Sequence, residues 1–133
     1  MNGGMNLENN LHYFIRKSLP GARLSRDCQR EYPRDVFPFG VEGIELFAYG
    51  QDPNWSVTEK KTGCRIGNGE TLELARADAQ RVLDAYGHDN FVELIKRILK
   101  NLNEGLEYDY SQKKWIDPDV RLVVQEVGEG ADD

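Results

Sequence analysis

The stretch Gly69 to Leu83, GETLELARADAQRVL, reads as the start and body of one helix, and the rest of the chain is placed relative to it. Leu72, Ala75, Ala79, Val82, Leu83 and Tyr86 fall on one stripe at helical spacing. Thr71 stands where a hydroxyl can accept from a first-turn amide, and Gly87 stands where a left-handed residue can stop the helix. A second helix follows almost at once. Asn90 and Glu93 have capping-box spacing, and Phe91, Ile95, Ile98, Leu99 and Leu102 form an apolar face opposite Lys96, Arg97 and Lys100.

Upstream of the glycine the period changes from helical to alternating. Ile44 to Tyr49 places apolar residues on one side and the aromatics Phe47 and Tyr49 on the other, which suits a strand covered on both faces. Gly50 to Asn54 has turn composition, and Trp55, Val57 and Glu59 alternate with Ser56 and Thr58. After Thr62-Gly63 the segment Cys64 to Ile66 resumes extended structure, which predicts a three-strand meander. Nearer the N-terminus, Leu7, Leu11, Phe14 and Ile15 follow the spacing of a helix face, with Asn6 as cap and Pro20-Gly21 as stop. Gly21 to Pro38 reads as a charged, mostly irregular connection. Downstream, Leu106, Tyr108 and Tyr110 alternate with Glu107 and Asp109, and Trp115-Ile116 leads to the run Val120 to Val127, with Ser111 to Lys113 as a turn. The expected fold is α+β: an N-terminal helix, a small antiparallel sheet of three or more strands, and two consecutive helices packed on one face, in a single domain over residues 1–133. Residues 1–5 and 128–133 are expected to be disordered.

At 133 residues one core suffices, and 39% hydrophobic with 30% charged residues describes a folded chain. No apolar run approaches the ~18 residues needed to span a bilayer, and Met1 to Asn10 lacks the features of a secretory signal, so a cytoplasmic location is expected. Cys28 and Cys64 lie far apart with no CxxC neighbour, which gives a disulfide framework or zinc site little to build on; Cys64 reads as a small core residue. The net charge is −6, and residues 104–133, with nine acidic and three basic side chains, carry an excess equal to all of it. Phosphate repulsion makes general nucleic-acid binding unfavourable.

No nucleophile with its base, paired carboxylates or metal set emerges; no cofactor and no metal are expected, and an enzyme is the less favoured reading. His12 and His88 have no ligand partner at helical spacing, so both read as surface or capping residues. Gly63, Gly67 and Gly69 precede a helix N-terminus but match neither GxGxxG nor GxxxxGK[ST], which favours turn chemistry over anion binding. Arg23, Arg26, Arg30 and Arg34 recur every three or four residues and would form a ridge on a helix. Asp27, Glu31 and Asp35 interrupt it, leaving a secondary basic site. Phe47 and Tyr49 would either anchor an interface on an open sheet face or lie beneath a helix.

Trp55-Ser-Val-Thr, Thr62-Gly63-Cys64 and Gly69-Glu-Thr-Leu-Glu-Leu-Ala75, with Ala79 and Leu83, resemble the strand, strand, helix signature of HicB-like antitoxins over residues 55–83. The chain departs from that pattern in having Thr62 where the family has proline, one extra residue between Cys64 and Gly69, and no DNA-binding tail. The resemblance implies a similar local fold and an antitoxin-like role. The functional expectation is therefore noncatalytic, intracellular protein binding, neutralising or regulating a basic partner in the manner of an antitoxin, immunity protein or nuclease inhibitor. Glu104, Glu107, Asp109, Asp117 and Asp119 would supply steering charge, with Tyr108, Tyr110 and Trp115 as anchors. Two alternatives stand beside it: a small-molecule binder or enzyme using Tyr49, Trp55, Arg65 or His88, and nucleic-acid binding through the arginines of residues 23–34.

Overall fold

Alternating apolar residues and three tight connections fold residues 37–69 into a four-stranded antiparallel meander. In the computed structural model, which describes residues 12–17 and 23–118, the strands are β1 (Ile15–Arg16), β2 (Arg23–Leu24), β3 (Arg30–Glu31), β4 (Phe37–Val41), β5 (Ile44–Gln51), β6 (Asn54–Glu59), β7 (Arg65–Gly69), β8 (Glu107–Asp109) and β9 (Lys114–Ile116). The helices are α1 (Leu72–Tyr86) and α2 (His88–Asn103). β4-β5-β6-β7 form the main sheet, β2-β8-β9 a three-stranded sheet, and β1-β3 a two-stranded ribbon. The β4–β5 hairpin pairs Val41 with Ile44 across Glu42-Gly43. Both loop residues have positive φ (50° and 86°), the turn whose twist matches that of the flanking strands.

One face of the main sheet carries Ile44, Leu46, Ala48 and Val57, which are packed with Ala75, Ala79 and Leu83 of α1 and Phe91 and Ile95 of α2 into the larger core. The close fit depends on glycine. A Cβ at Gly67 would lie 2.7 Å from the Ala79 backbone nitrogen, and one at Gly69 would lie 2.5 Å from that of Ala75. These glycines are therefore a strand surface that admits the backbone of α1, where the sequence suggested turn chemistry. Thr71 caps α1 by accepting from the Leu74 amide at 3.1 Å, and Gly87 (φ 85°) ends it by donating to the Leu83 carbonyl at 2.9 Å. Because α2 begins at His88, Asn90 is inside the helix and is no cap; its side-chain amide donates to the Tyr86 carbonyl at 3.0 Å.

The structure corrects the expected architecture in two respects. There is no N-terminal helix among the described residues: Ile15 and Arg16 pair with Glu31 and Arg30, the Arg16 amide donates to the Gly63 carbonyl at 2.8 Å, and the Lys17 amide donates to the Gln29 carbonyl at 2.9 Å. The helical spacing is local, whereas the pairing of Ile15 and Arg16 with a distant segment is what makes them a strand. Leu7 and Leu11 lie outside the described residues, as do the residues 1–5 and 128–133 expected to be disordered and the run Val120 to Val127. The second correction is that one small sheet becomes three, with both helices following seven of the nine described strands. Part of the segment read as an irregular connection supplies β2, β3 and the start of β4.

The other face of the main sheet is not open at its centre. Phe47 is fully buried there, with Tyr13 edge-on at 5.3 Å and Tyr49 at 6.1 Å, while the Lys60 ammonium lies 5.0 Å from the Tyr13 ring centre. Burial of a ring this size stabilises by about 2–3 kcal/mol. The N-terminal strand segment thus does the covering that a helix would have done.

Candidate functional site

A second, smaller core forms where four separate pieces of chain meet. Leu24, Cys28 and Leu102 are its buried members, and Cys64, Ile98, Tyr108 and Trp115 pack against them. β8 holds the arrangement by pairing on one side with β2 (Arg23 with Asp109, Leu24 with Tyr108) and on the other with β9 (Tyr108 with Trp115). The β8–β9 turn is organised by the Asp109 carboxylate, whose Oδ1 accepts from the Ser111 hydroxyl at 2.6 Å, the Ser111 amide at 2.9 Å and the Gln112 amide at 3.1 Å. The Ser111 hydroxyl, followed by the Gln112 amide, holds the Asp109 carboxyl below its ordinary pKa.

This geometry divides the acidic residues singled out in the sequence. Asp109 is buried in its own turn, and Glu107 pairs with Arg23 at 3.3 Å, with both side chains partly buried. Glu104 is exposed beside Lys100, Asp117 is exposed, and Asp119 lies outside the described residues. The rings do come together: Tyr108 is edge-on to Tyr110 at 5.2 Å and to Trp115 at 5.4 Å. Tyr110, at 44% exposure, is the most open of the three. The arginines of residues 23–34 do not form a ridge. Arg23 meets Glu107, Arg26 donates to the Asn103 carbonyl at 3.3 Å, and Arg30 stacks 4.2 Å from the Phe14 ring centre. Arg34 stands at an exposed bend before β4.

Against the second core lies a cavity of about 340 Å³. Ile66, Val82, Phe91, Leu94, Ile95 and Ile98 form its sheet and helix side, and Leu24, Tyr108, Tyr110 and Trp115 close it from the three-stranded sheet. Polar groups enter from the β6–β7 connection. Glu59 is buried, and its carboxylate ties down that turn by accepting from the Lys61 amide at 2.8 Å, the Thr62 amide at 2.8 Å and the Thr62 hydroxyl at 2.7 Å. Burial raises the pKa of the Cys64 thiol above its ordinary value, so the sulfur is a neutral wall group and not a thiolate nucleophile.

The β6–β7 register then slips by one residue: Val57 pairs with Gly67 but Thr58 pairs with Arg65. Paired residues share a face, so the bulge turns Arg65 away from the side taken by Gly67 and α1. Arg65 accordingly lines the first cavity and also a second of about 420 Å³, formed with Ile15, Arg16, Leu24, Tyr49, Cys64 and Tyr110. Of the residues the sequence offered for a small-molecule site, Arg65 and Tyr49 reach these cavities. Trp55 instead donates to Asp52 at 2.6 Å and packs on Phe37, and His88 bridges the Glu42 carbonyl (2.7 Å) and Asp89 (2.9 Å) beside a different hollow. Sequence reading missed Glu59 and Arg16. The spacing of Glu59 to Thr62 carried a turn signal for the first, but Arg16 was hidden by the helical reading of its segment.

Comparison with protein-family models, curated proteins and solved structures finds no match to this chain. The site must therefore be interpreted from its own chemistry. Among the described residues no group of three or more His, Cys, Asp or Glu is placed to hold a metal ion, and no helix is long and apolar enough to cross a membrane.

Proposed function

We propose that this protein is a noncatalytic binder of a small, largely apolar molecule, held in the cavity between α2 and the three-stranded sheet. One observation carries the reading: about 340 Å³ of space walled by aliphatic and aromatic side chains, with a few polar groups at one end. That is the composition and the lower end of the size range of small-molecule sites. The polar groups supply orientation and not chemistry. The Glu59 carboxylate accepts three hydrogen bonds within its own turn, and the Cys64 thiol is protonated. Calorimetric titration with 1-octanol tests the proposal. Wild-type protein should bind it saturably, and Ile98→Trp, which fills the cavity, should lose that binding. No binding by the wild type, or equal binding by the variant, would rule the reading out.

Recognition of a basic partner protein is the second reading, favoured by the exposure of Tyr110 against Tyr108, with Glu104 and Asp117 exposed on neighbouring C-terminal segments. It has fewer charges to draw on than the sequence suggested, because Asp109 and Glu107 are engaged within the fold. The likeness of residues 55–83 to HicB-like antitoxins belongs with this reading. Those residues are β6, β7 and most of α1, and they include none of Glu104, Glu107, Asp109 or Asp117.

A further inference from the structure

The two cavities share Leu24, Cys64, Arg65 and Tyr110, yet their charge is unequal. The first has an apolar wall and one carboxylate, Glu59, already bound by its own turn. The second is lined by two guanidinium groups, Arg16 and Arg65, and by no acidic side chain among the described residues. Arg16 gives its Nε–H to the Thr62 carbonyl at 3.0 Å and one terminal N–H to the Ser25 carbonyl at 3.4 Å, which leaves further donors of its fork unspent. Arg30 adds to this field: both it and Arg16 lie against the Phe14 ring, at 4.2 and 5.5 Å from its centre. No ion pair among the described residues includes Arg16, Arg30 or Arg65. Burial, and then the neighbouring charge of Arg30, set the pKa of Arg16 below its ordinary value, as expected where cations gather without a counter-charge. A protein of net charge −6 thus keeps a local positive pocket beside an apolar one.

We infer that the ligand is an amphipathic anion: its apolar body occupies the first cavity, and its single anionic end, a carboxylate or a group of the same charge, lies in the second between Arg65 and Arg16. The inference rests on the first cavity being a ligand site. A guanidinium fork and an oxyanion form charge-assisted hydrogen bonds about twice as strong as neutral ones. The bulge that moves Arg65 to the junction gives one side chain access to both compartments. A neutral head would leave the arginines without a counter-charge, and a cationic head would be repelled by them.

The test uses three eight-carbon probes, octanoate, 1-octanol and octylamine, titrated against the full chain carrying Trp55→Phe, so that fluorescence comes from Trp115 in the cavity wall. Octanoate should bind at least about tenfold more tightly than octanol, with octylamine weakest. That preference should vanish in Arg65→Met and return in part in Arg65→Lys. Arg65 is exposed, so these variants should retain the wild-type circular dichroism spectrum. Equal binding of octanoate and octanol, tightest binding of octylamine, or a preference intact in Arg65→Met would overturn the inference while leaving the cavity reading in place. Failure of all three probes to bind would remove the cavity reading itself.

Discussion

The two cores of this protein are built by opposite means. The larger joins residues close in sequence: strands linked by short turns, then a helix that begins within three residues of β7, with Ala75 and Ala79 fully buried against Gly67 and Gly69. The smaller joins β2 to β8 across more than eighty residues and borders a cavity that Phe91 and Ile95 of the larger core line from the other side. Tight packing goes with local construction, where each turn fixes the next contact. The space for a ligand goes with distant construction, where aromatic rings and an aspartate-bound turn hold walls apart.

The contrast predicts unequal responses to the same substitution. Leu46→Ala, in the larger core, should cost about 2–5 kcal/mol, whereas Leu24→Ala, beside a cavity, should fall at or below the bottom of that range, because fewer contacts are lost. Urea unfolding of both variants measures the difference, and equal losses would erase the distinction. Gly67→Ala sharpens it by adding a methyl group to the tight side. The backbone of α1 must move to admit it, at about 1–3 kcal/mol, although alanine is better suited than glycine to a regular strand.

How much of this was legible follows the same division. Thr71 and Gly87 located the ends of α1 from sequence, because capping chemistry is local. Gly67 and Gly69 were visible as glycines, but their purpose depended on where the helix lies, and a turn explained them equally well. Phe14 and Ile15 fitted a helix face by spacing, and the pairing of Ile15 and Arg16 with Glu31 and Arg30 decided the outcome. At the site, Tyr108, Tyr110 and Trp115 could be recognised as a group, yet nothing local indicated that Glu107 meets Arg23. The cavity itself was illegible, since its walls come from five separated stretches of chain.

The smallest expected effect is a pH dependence on the distant side. The folded Asp109 carboxyl lies below its unfolded value, so its contribution is complete above the unfolded value and fades as pH falls through the lowered folded one. Asp109→Asn removes the charge and should narrow the stability gap from wild type on acidification below about pH 4. Chemical unfolding at neutral and acid pH checks this. A gap that stays constant or widens in acid would show that the Asp109 hydrogen bonds do not stabilise the turn as described.

Methyl NMR under xenon pressure addresses most directly the claim that accessible apolar space lies between α2 and the three-stranded sheet while the interior of the larger core around Leu46 and Val57 has none, because xenon enters apolar cavities of this kind. Saturable shifts are expected at Ile66, Leu94 and Ile98, which line the cavity, with Leu46 and Val57 unmoved. Unmoved methyl groups throughout, or shifts centred on Leu46 and Val57, would contradict it.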